Sequence, residues 1–195
     1  MTYEEFYGDN YQKLEMAKEQ LEHMIEVLQN QHLEEKKESN IAYYKSRIKT
    51  PESMTEKLKR RRLPINADTA LHEVNDAVGI RIICSFFDDI YHVSDWIQNQ
   101  EWIQIVKIKD YIACPKENGY RSYHMIIFLP ELKVTAEIQI RTIALDFWAS
   151  LEHQIKYKHH IKNEEMIRAE LKRCADEIAS VDLSMQTIKD LIQLR

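Results

Sequence analysis

Glycine is scarce in this sequence, which contains only Gly8, Gly79 and Gly119 among its 195 residues. Phosphate-binding loops of the Gly-x-x-x-x-Gly-Lys and Gly-x-Gly-x-x-Gly types need glycines at short fixed spacings, because their backbone approaches the phosphates closely. These three positions can form neither spacing. Any site for a phosphorylated ligand must therefore hold the phosphates with side chains.

Cysteine is also rare, and Cys84, Cys114 and Cys174 are odd in number and far apart, which excludes a disulfide framework and a Cys-x-x-Cys metal site. No apolar run approaches the roughly 18 residues that suggest a membrane span, and the N-terminus is acidic and polar. The 8 histidines form neither a His-Glu-x-x-His zinc motif nor a His-Asp dipeptide. We expect a reduced cytoplasmic protein that does not insert into membranes.

The net charge of -5 argues against a protein that coats nucleic acid with its whole surface, because that mode of binding relies on an extended basic field. Positive charge is instead local. The segment from Lys45 to Arg62 contains eight lysines and arginines but only Glu52 and Glu56 as acids. This excess of +6 suits a compact anionic ligand, although a helix with a solvated basic face remains the simpler alternative.

The hydrophobic content of 44% allows one substantial core. The spacing of the apolar residues predicts helices and strands that alternate along the chain. Thr50 and Pro51 form a good helix start, with Thr50 as cap. Interleaved elements with a hairpin near residue 130 favour a mixed five-stranded sheet in an α+β fold. The pattern predicts helices over 9–37, from 51, and over 68–75, 88–98, 141–160 and 163–194, and strands over 43–49, 78–87, 102–109, 123–129 and 134–140.

An apolar seam runs along the last predicted helix, with about three heptads of spacings that alternate between three and four residues. Either the apolar stripe of the first helix or another subunit could cover this seam. We favour a homo-oligomer to which both helices contribute. The seam consists of Leu171, Cys174, Ile178, Val181, Met185, Ile188 and Ile192.

The segment from Lys109 to His124 combines cations, aromatic rings and a turn. Arg121 and the lysines can pair with phosphates, Tyr120 offers a flat face to a purine, and Asn118-Gly119 lets the backbone turn sharply. A ligand with both a ring and phosphates is a nucleotide. The alternative is a solvated hairpin, for which Asn-Gly is a strong signal.

Two carboxylates occupy positions that suit a metal. Asp76 directly precedes the strongest buried strand, and Glu137 interrupts an apolar alternation on the face that also carries Gln139 and Arg141. One or two carboxylates together with nucleotide phosphates are what Mg²⁺ typically uses. A simply solvated sheet face is the alternative.

Five segments follow one another along the chain: Arg47–Lys49, Glu52–Ser53 with Lys57–Leu58, Asn75–Arg81, Lys109–His124 and Glu137–Thr142. Together they resemble the synthetase domain of the RelA/SpoT family, and the resemblance extends from about residue 41 to 158. The chain looks like a small alarmone synthetase, the single-domain form. This implies a nucleotidyltransferase-like mixed sheet, with an N-terminal helical segment over 1–40, a catalytic domain over 41–160 and an oligomerisation helix over 161–195, and close relatives suggest a tetramer.

The resemblance implies transfer of pyrophosphate from ATP to the 3′-hydroxyl of GDP or GTP, which releases AMP and makes the alarmones ppGpp and pppGpp of the stringent response. Asp76 and Glu137 would bind Mg²⁺, and Glu137 would also deprotonate the attacking hydroxyl. Arg47 and Arg81 would enclose the adenine, and Tyr120 would stack on the guanine.

The other implied contacts divide between the two substrates, and the choice among Arg60, Arg61 and Arg62 stays open. On the ATP side they are Arg47, Lys49, Ser53, Lys57, Arg60, Arg61 and Arg81. On the acceptor side they are Lys109, Lys116, Asn118, Tyr120, Arg121, His124 and Gln139.

Two other classes of protein remain as alternatives. A catalytically silent nucleotide-binding or RNA-binding module could use Tyr120 and the basic segment on a single strand, although nucleic acid is not required by the main hypothesis. The second alternative is a helical scaffold whose sheet domain is a relic. The carboxylates speak against both, because acids in an anion pocket are costly unless a metal uses them.

Overall fold

The computed structural model describes residues 1–34, 40–156 and 163–193, in which helices and strands alternate. The predicted extension of the first helix to residue 37, residues 157–160 of the helix predicted over 141–160, and residue 194 lie outside the described residues. The elements in chain order are α1 (Tyr3–Tyr7), α2 (Asn10–Glu34), β1 (Ile41–Ile48), α3 (Pro51–Arg61), α4 (Ala67–His72), β2 (Val78–Cys84), α5 (Phe87–Gln98), β3 (Gln104–Asp110), β4 (Tyr123–Leu129), β5 (Val134–Thr142), α6 (Ile143–Lys156) and α7 (Glu164–Gln193).

The five strands form one sheet in the order β1-β2-β5-β4-β3. β2 and β5 pair in parallel, and the other neighbours pair antiparallel. The predicted mixed five-stranded sheet in an α+β fold is therefore confirmed. The parallel pair matters for the site, because it brings the segment before β2 close to the middle of β5.

Local sequence signals explain where individual elements begin. The Thr50 hydroxyl accepts a hydrogen bond from the Ser53 N–H at 3.2 Å, and Pro51 is the first residue of α3, as predicted. The strand predicted over 78–87 ends earlier, at Cys84. The Asp89 carboxylate accepts a hydrogen bond from the Phe86 N–H at 3.0 Å, which starts α5 within the apolar run.

The hydrophobic core lies between one face of the sheet and helices α2 and α5. The apolar stripe of α2 is fully buried in this core together with the inward-facing isoleucines of β2 and β5. Burying each such leucine or isoleucine contributes about 1.5–3 kcal/mol. The stripe consists of Leu14, Leu21, Ile25 and Leu28.

The seam of α7 is therefore not covered by the stripe of α2, which packs on the sheet instead. The alternative in which α2 covers the seam was wrong. Helical periodicity shows that an apolar stripe must be buried, but it does not show which element buries it. Leu171, Cys174 and Ile178, in the first half of the seam, pack near Trp148 of α6. The second half is exposed, with Val181 at 59% and Ile192 at 67%.

The opposite face of the sheet is polar. One row of directly paired residues crosses all five strands on this face, in the order Lys45, Arg81, Gln139, His124 and Lys109. Directly paired residues of neighbouring strands share a face. The sheet thereby gathers cations and hydrogen-bonding groups from distant parts of the sequence into one surface.

Helices α6 and α7 support the loop between β3 and β4 at the edge of this polar face. Asn118 donates a hydrogen bond to the Glu152 carboxylate at 2.9 Å, and Arg121 pairs with Asp176 at 2.9 Å. Gly119 has a φ of +86°, and a Cβ at this position would lie 2.6 Å from the Cβ of Ala175. The loop is thus pressed directly against α7.

Within the described residues, no helix has both the length and the apolar composition needed to cross a membrane.

The Gly119→Ala substitution tests this close packing, and Gly8→Ala is the matched control. Both glycines have a positive φ, but a Cβ at Gly8 would meet nothing within 4 Å. We expect backbone strain of about 1–3 kcal/mol from either substitution, and a further overpacking loss of about 1–3 kcal/mol for Gly119→Ala alone. Urea denaturation of both variants measures the difference. Equal losses would show that α7 moves away from the loop at no cost.

Candidate active site

A cleft of about 1290 Å³ opens on the polar face of the sheet, and a smaller cavity of about 240 Å³ adjoins it. Arg47, Arg81 and Gln139 line both. The loop between β3 and β4 forms one wall of the larger cleft, and α6 forms another. Asp76 and Glu137 line the smaller cavity, so the two carboxylates predicted from the sequence are brought together.

Asp76 lies just before β2 and accepts hydrogen bonds from two lysines. Lys57 approaches one carboxylate oxygen, Oδ2, to 2.5 Å, and Lys49 approaches the same oxygen to 2.9 Å. Burial alone would raise the pKa of the carboxyl group, but the hydrogen bonds and charges of the two lysines outweigh burial and lower the pKa of Asp76. The other oxygen, Oδ1, is buried and has no hydrogen-bond partner among the described residues.

Burial also lowers the pKa of the Lys57 ammonium group, an effect that the hydrogen bond and charge of Asp76 only partly oppose. Lys57 is thus a desolvated cation, and Asp76 is the acid with which it pairs among the described residues. A ligand that brings further negative charge into the cavity would relieve the crowding of two ammonium groups on one carboxylate oxygen.

Glu137 projects from the middle of β5 and is also held as a carboxylate. Burial would raise its pKa, but hydrogen bonds from His124 and Gln139 outweigh burial and lower the pKa of Glu137. The charge of Asp76 opposes this in part, which indicates that the two carboxylates are close enough to interact. Both therefore enter the cavity as anions at neutral pH.

Glu137 is one of five side chains that form a closed ring of hydrogen bonds. Arg141 donates to the Tyr120 hydroxyl at 2.7 Å and to the Gln139 amide oxygen at 2.8 Å, and Gln139 in turn donates to Glu137 at 2.8 Å. The Tyr120 hydroxyl lies 2.9 Å from Nε2 of His124, whose Nδ1 lies 3.2 Å from Glu137.

A neutral His124 satisfies every contact in this ring with a single assignment of protons. The Tyr120 hydroxyl accepts from Arg141, which can only donate, and gives its own proton to Nε2 of His124. Nδ1 then carries the histidine proton and donates it to Glu137. We assign this tautomer from the network. The ring fixes the orientation of Glu137 from both of its oxygens.

Cations and aromatic rings meet at the mouth of the larger cleft. The Lys116 ammonium lies 4.5 Å from the ring centroid of Tyr111 and 4.6 Å from that of Tyr120. Tyr111 contacts Tyr120 and His124 edge to face, with centroids 6.1 and 5.3 Å apart. This arrangement offers a flat surface beside an exposed cation, which suits a nucleotide base that carries phosphates.

The remaining basic residues of the sequence hypothesis differ in where they point. Arg60 lines the cleft, whereas Arg61 donates to the Glu73 carbonyl at 3.0 Å. Arg121 turns towards α7, where it pairs with Asp176. Ser53 lies in the first turn of α3. The geometry therefore favours Arg60 over Arg61 as a ligand contact, and it gives Arg121 a supporting position behind the loop.

Asp146 was missed by the sequence analysis. Its Oδ1 accepts hydrogen bonds from Arg81 at 3.2 Å and from Arg141 at 3.0 Å. In the sequence it is one acid in the first turn of a helix, which is a common and unremarked position. Only the pairing of β2 with β5 places both arginines beside it.

A second acidic cluster in the described residues does not need a metal. Asp88, Asp89 and His92 of α5 place possible ligand atoms within 4.8 Å of one another. Lys189 already pairs with Asp88 at 2.8 Å and with Asp89 at 2.9 Å. These acids serve to fasten the end of α7 to α5.

The fold and the cleft together define a domain that binds an anionic ligand with side chains, around two ionised carboxylates on a mixed sheet. Residues 46–162 match the family described as the region found in RelA / SpoT proteins. The chain belongs to this family, as the sequence predicted.

Individual relatives agree with this assignment. The chain is similar to the GTP pyrophosphokinase YwaC of Bacillus subtilis (strain 168), with 46% identity over 155 residues, which are 76% of this chain and 74% of the relative. The GTP pyrophosphokinase YjbM of the same strain is 33% identical over 183 residues, with 91% and 85% covered. The crystal structure of small alarmone synthetase 1 from Bacillus subtilis bound to its product pppGpp superposes with a TM-score of 0.85 at 31% identity, and the match covers 93% of this chain and 95% of that chain.

The Tyr120→Phe substitution tests the closed ring, with Tyr111→Phe as the matched control. Loss of the Tyr120 hydroxyl leaves buried groups on Arg141 and His124 without their partner, which should lower the free energy of unfolding by about 1–2 kcal/mol. Tyr111 packs on the same neighbours through its ring, so the loss of its hydroxyl should cost less than about 0.5 kcal/mol. Urea denaturation compares the two. A Tyr120→Phe protein as stable as Tyr111→Phe would contradict the ring.

Proposed function

We propose that this protein is a (p)ppGpp synthetase, which transfers pyrophosphate from ATP to the 3′-hydroxyl of GDP or GTP and releases AMP. The observation that carries the proposal is the pair of ionised carboxylates, Asp76 and Glu137, in one cavity beside Lys49 and Lys57. Membership of the RelA/SpoT family and the similarity to GTP pyrophosphokinases support it.

Asp76 and Glu137 are the residues that would hold Mg²⁺. Both are kept ionised, and the unpartnered Oδ1 of Asp76 is an oxygen donor of the kind that this ion prefers. When bound, the ion would neutralise charge on the transferred phosphates. Lys49 and Lys57 would then leave Asp76 and contact the phosphates of ATP.

The ATP side of the cleft is formed by α3 and the neighbouring arginines. Arg47 and Arg81 line both cavities and would enclose the adenine, and Arg60, which lines the larger cleft, would contact a phosphate. Ser53 lies in the first turn of α3, where the N–H groups and the helix dipole attract anions. Arg61 would adjust the position of α3 through its contact with Glu73.

The acceptor side is formed by the loop between β3 and β4. Tyr120 would stack on the guanine, with Asn118 and Gln139 beside it, while Lys116 would leave the aromatic rings for a phosphate of the acceptor. Lys109 and His124 pair directly across β3 and β4 and would extend this surface. Arg121 would act indirectly, because it fastens the loop to α7.

Glu137 is the residue that would accept the proton of the 3′-hydroxyl. The hydroxyl oxygen then attacks the β-phosphorus of ATP, a new P–O bond forms, and the bond from the β-phosphorus to the oxygen that bridges the α- and β-phosphates breaks. That oxygen leaves with AMP. Transfer of this kind asks the protein for positioning and for positive charge around the phosphates, which the lysines and arginines supply.

The decisive assay incubates the purified protein with MgCl₂, ATP and either GDP or GTP, and then separates the nucleotides. We expect AMP and a more highly charged guanosine nucleotide in equal amounts, and no turnover after chelation of the metal. The two rates give the acceptor preference. Nucleotides that bind but stay intact would favour the silent binding module, and tighter binding of single-stranded RNA would favour its RNA-binding form.

Three variants assign the residues. Asp76→Asn and Glu137→Gln should each lower turnover at least about a hundredfold with a cooperative thermal transition retained, because each removes a charge used in the transition state. Tyr120→Ala should raise the KM for the guanine nucleotide because stacking is lost, and it should also lower kcat, because the Tyr120 hydroxyl belongs to the ring of hydrogen bonds that orients Glu137. Asp89→Asn, a buried acid in α5, is the control for loss of one carboxylate. Normal turnover by the Glu137 variant would remove its role as base and metal ligand.

The exposed half of the α7 seam supports a homo-oligomer, for which we take the tetramer as the working state and α7 as the oligomerisation element. Met185 and Ile188 are 49% and 50% exposed on this seam. Such a row of apolar side chains is costly in water. The reduced cysteines, which form no disulfide within the described residues, fit a cytoplasmic location.

Charge on the seam tests the oligomer. The double variant Met185→Glu, Ile188→Glu should sediment as a smaller species than the wild type, because carboxylates cannot be buried in an apolar interface without a partner. Val106→Glu is the control, since Val106 is 58% exposed on the edge strand β3. Unchanged sedimentation of the double variant would place any subunit contact elsewhere.

A further inference from the structure

Asp146 is a buried carboxylate at the start of α6 that contacts residues from three strands. Its Oδ1 accepts hydrogen bonds from Arg81 of β2 and Arg141 of β5, and its Oδ2 accepts one from the Tyr43 hydroxyl of β1 at 3.4 Å. The Asp146 side chain is only 8% exposed. It lies behind the cleft and lines neither cavity, so it acts on a ligand only through its neighbours.

The two arginines need this carboxylate because they carry like charges at close range. Both donate to the same oxygen atom of Asp146, so their guanidinium groups are held side by side. Burial lowers the pKa of Arg81, and the positive charge of Arg141 lowers it further, whereas the charge of Asp146 opposes both effects. Without the negative charge of Asp146, repulsion would push away the guanidinium that has fewer other hydrogen-bond partners.

Arg81 has fewer hydrogen-bond partners than Arg141 and is more exposed. Arg141 is 5% exposed and keeps three further partners, Ser122, Tyr120 and Gln139. The Arg81 side chain is 34% exposed, its buried Nε has no partner, and in the part of the chain that the structure describes Asp146 alone receives a hydrogen bond from its guanidinium. Arg81 also lines both cavities, whereas Arg141 lines the larger cleft.

We propose that Asp146 is a positioning residue that holds the Arg81 guanidinium in the wall shared by the two cavities and, to a smaller extent, supports Tyr120 through Arg141. The inference rests on the proposed function, which makes Arg81 an adenine contact and Tyr120 a guanine contact. It follows that the loss of Asp146 weakens the ATP side more than the acceptor side.

The Asp146→Asn variant of the full chain tests this asymmetry. The amide keeps the volume but loses the charge, so the Kd for a non-hydrolysable ATP analogue, measured by titration calorimetry, should rise about tenfold. The KM for ATP should rise to a similar extent, and the KM for GDP by less than about threefold. Asp89→Asn is the matched control, since Asp89 is equally buried and pairs with Lys189 away from the cleft.

A double-variant cycle identifies the route of the effect. If Asp146 acts through Arg81, the variant Arg81→Ala, Asp146→Asn should bind the analogue no more weakly than Arg81→Ala alone. Independent, additive losses would overturn the proposal. The proposal would also be overturned if Asp146→Asn lowers the melting temperature but binds the analogue like the wild type. Asp146 would then have a structural role only, as we expect for Asp89.

Asp146→Glu covers the case in which Asp146→Asn does not fold. It keeps the charge but moves the carboxylate by one methylene, so a folded Asp146→Glu protein should also bind the analogue more weakly, and wild-type binding would overturn the proposal. The binding measurement needs no turnover. A wild type that binds the analogue and makes no guanosine product would refute the proposed function, while the variants would still decide the role of Asp146.

Discussion

Two carboxylates must stay ionised in a partly buried cleft, and the surrounding side chains are arranged to meet this condition. An isolated carboxylate in such a place would take up a proton. Asp76 avoids this with two lysine ammonium groups, and Glu137 avoids it with hydrogen bonds from His124 and Gln139. The difference is functional. Ammonium groups can move to incoming phosphates, whereas the hydrogen-bond donors on Glu137 can stay in place while Glu137 accepts a proton.

The absence of a glycine-rich loop is compensated by rigid support behind the acceptor loop. Trp148 of α6 donates to the Leu171 carbonyl of α7 at 2.9 Å, which joins the two helices, and α7 in turn receives Arg121 and the close contact of Gly119. Backbone amides hold phosphates in a glycine loop, but here the loop must present side chains at fixed positions. That requires a stiff base, and a long helix such as α7 provides one.

Much of the fold and part of the site could be predicted from the sequence because the signals are local. The start of α3 followed from Thr50 and Pro51, β2 followed from a continuous apolar run, and β5 followed from apolar alternation. Partner choice was not local. The stripe of α2 was compatible with α7 but is buried on the sheet, and Arg121 has the right charge for a phosphate but faces Asp176. Charge and periodicity predict that a side chain requires a counter-ion or an apolar partner. The tertiary structure determines which of several possible neighbours is that partner.

The site requires a tyrosine at position 120, and another aromatic residue would not be sufficient. Its ring offers the stacking surface, a task that phenylalanine could also perform, while its hydroxyl accepts from Arg141 and donates to His124. A tyrosine can do both because its apolar body and polar tip are separate. The hydroxyl thereby connects the surface proposed for the guanine to the carboxylate proposed as the base. Stacking of the nucleotide and proton acceptance by Glu137 are then coupled through a single rigid side chain. A guanine that stacks poorly on the aromatic ring of Tyr120 would therefore also disturb the hydrogen bonds that orient Glu137.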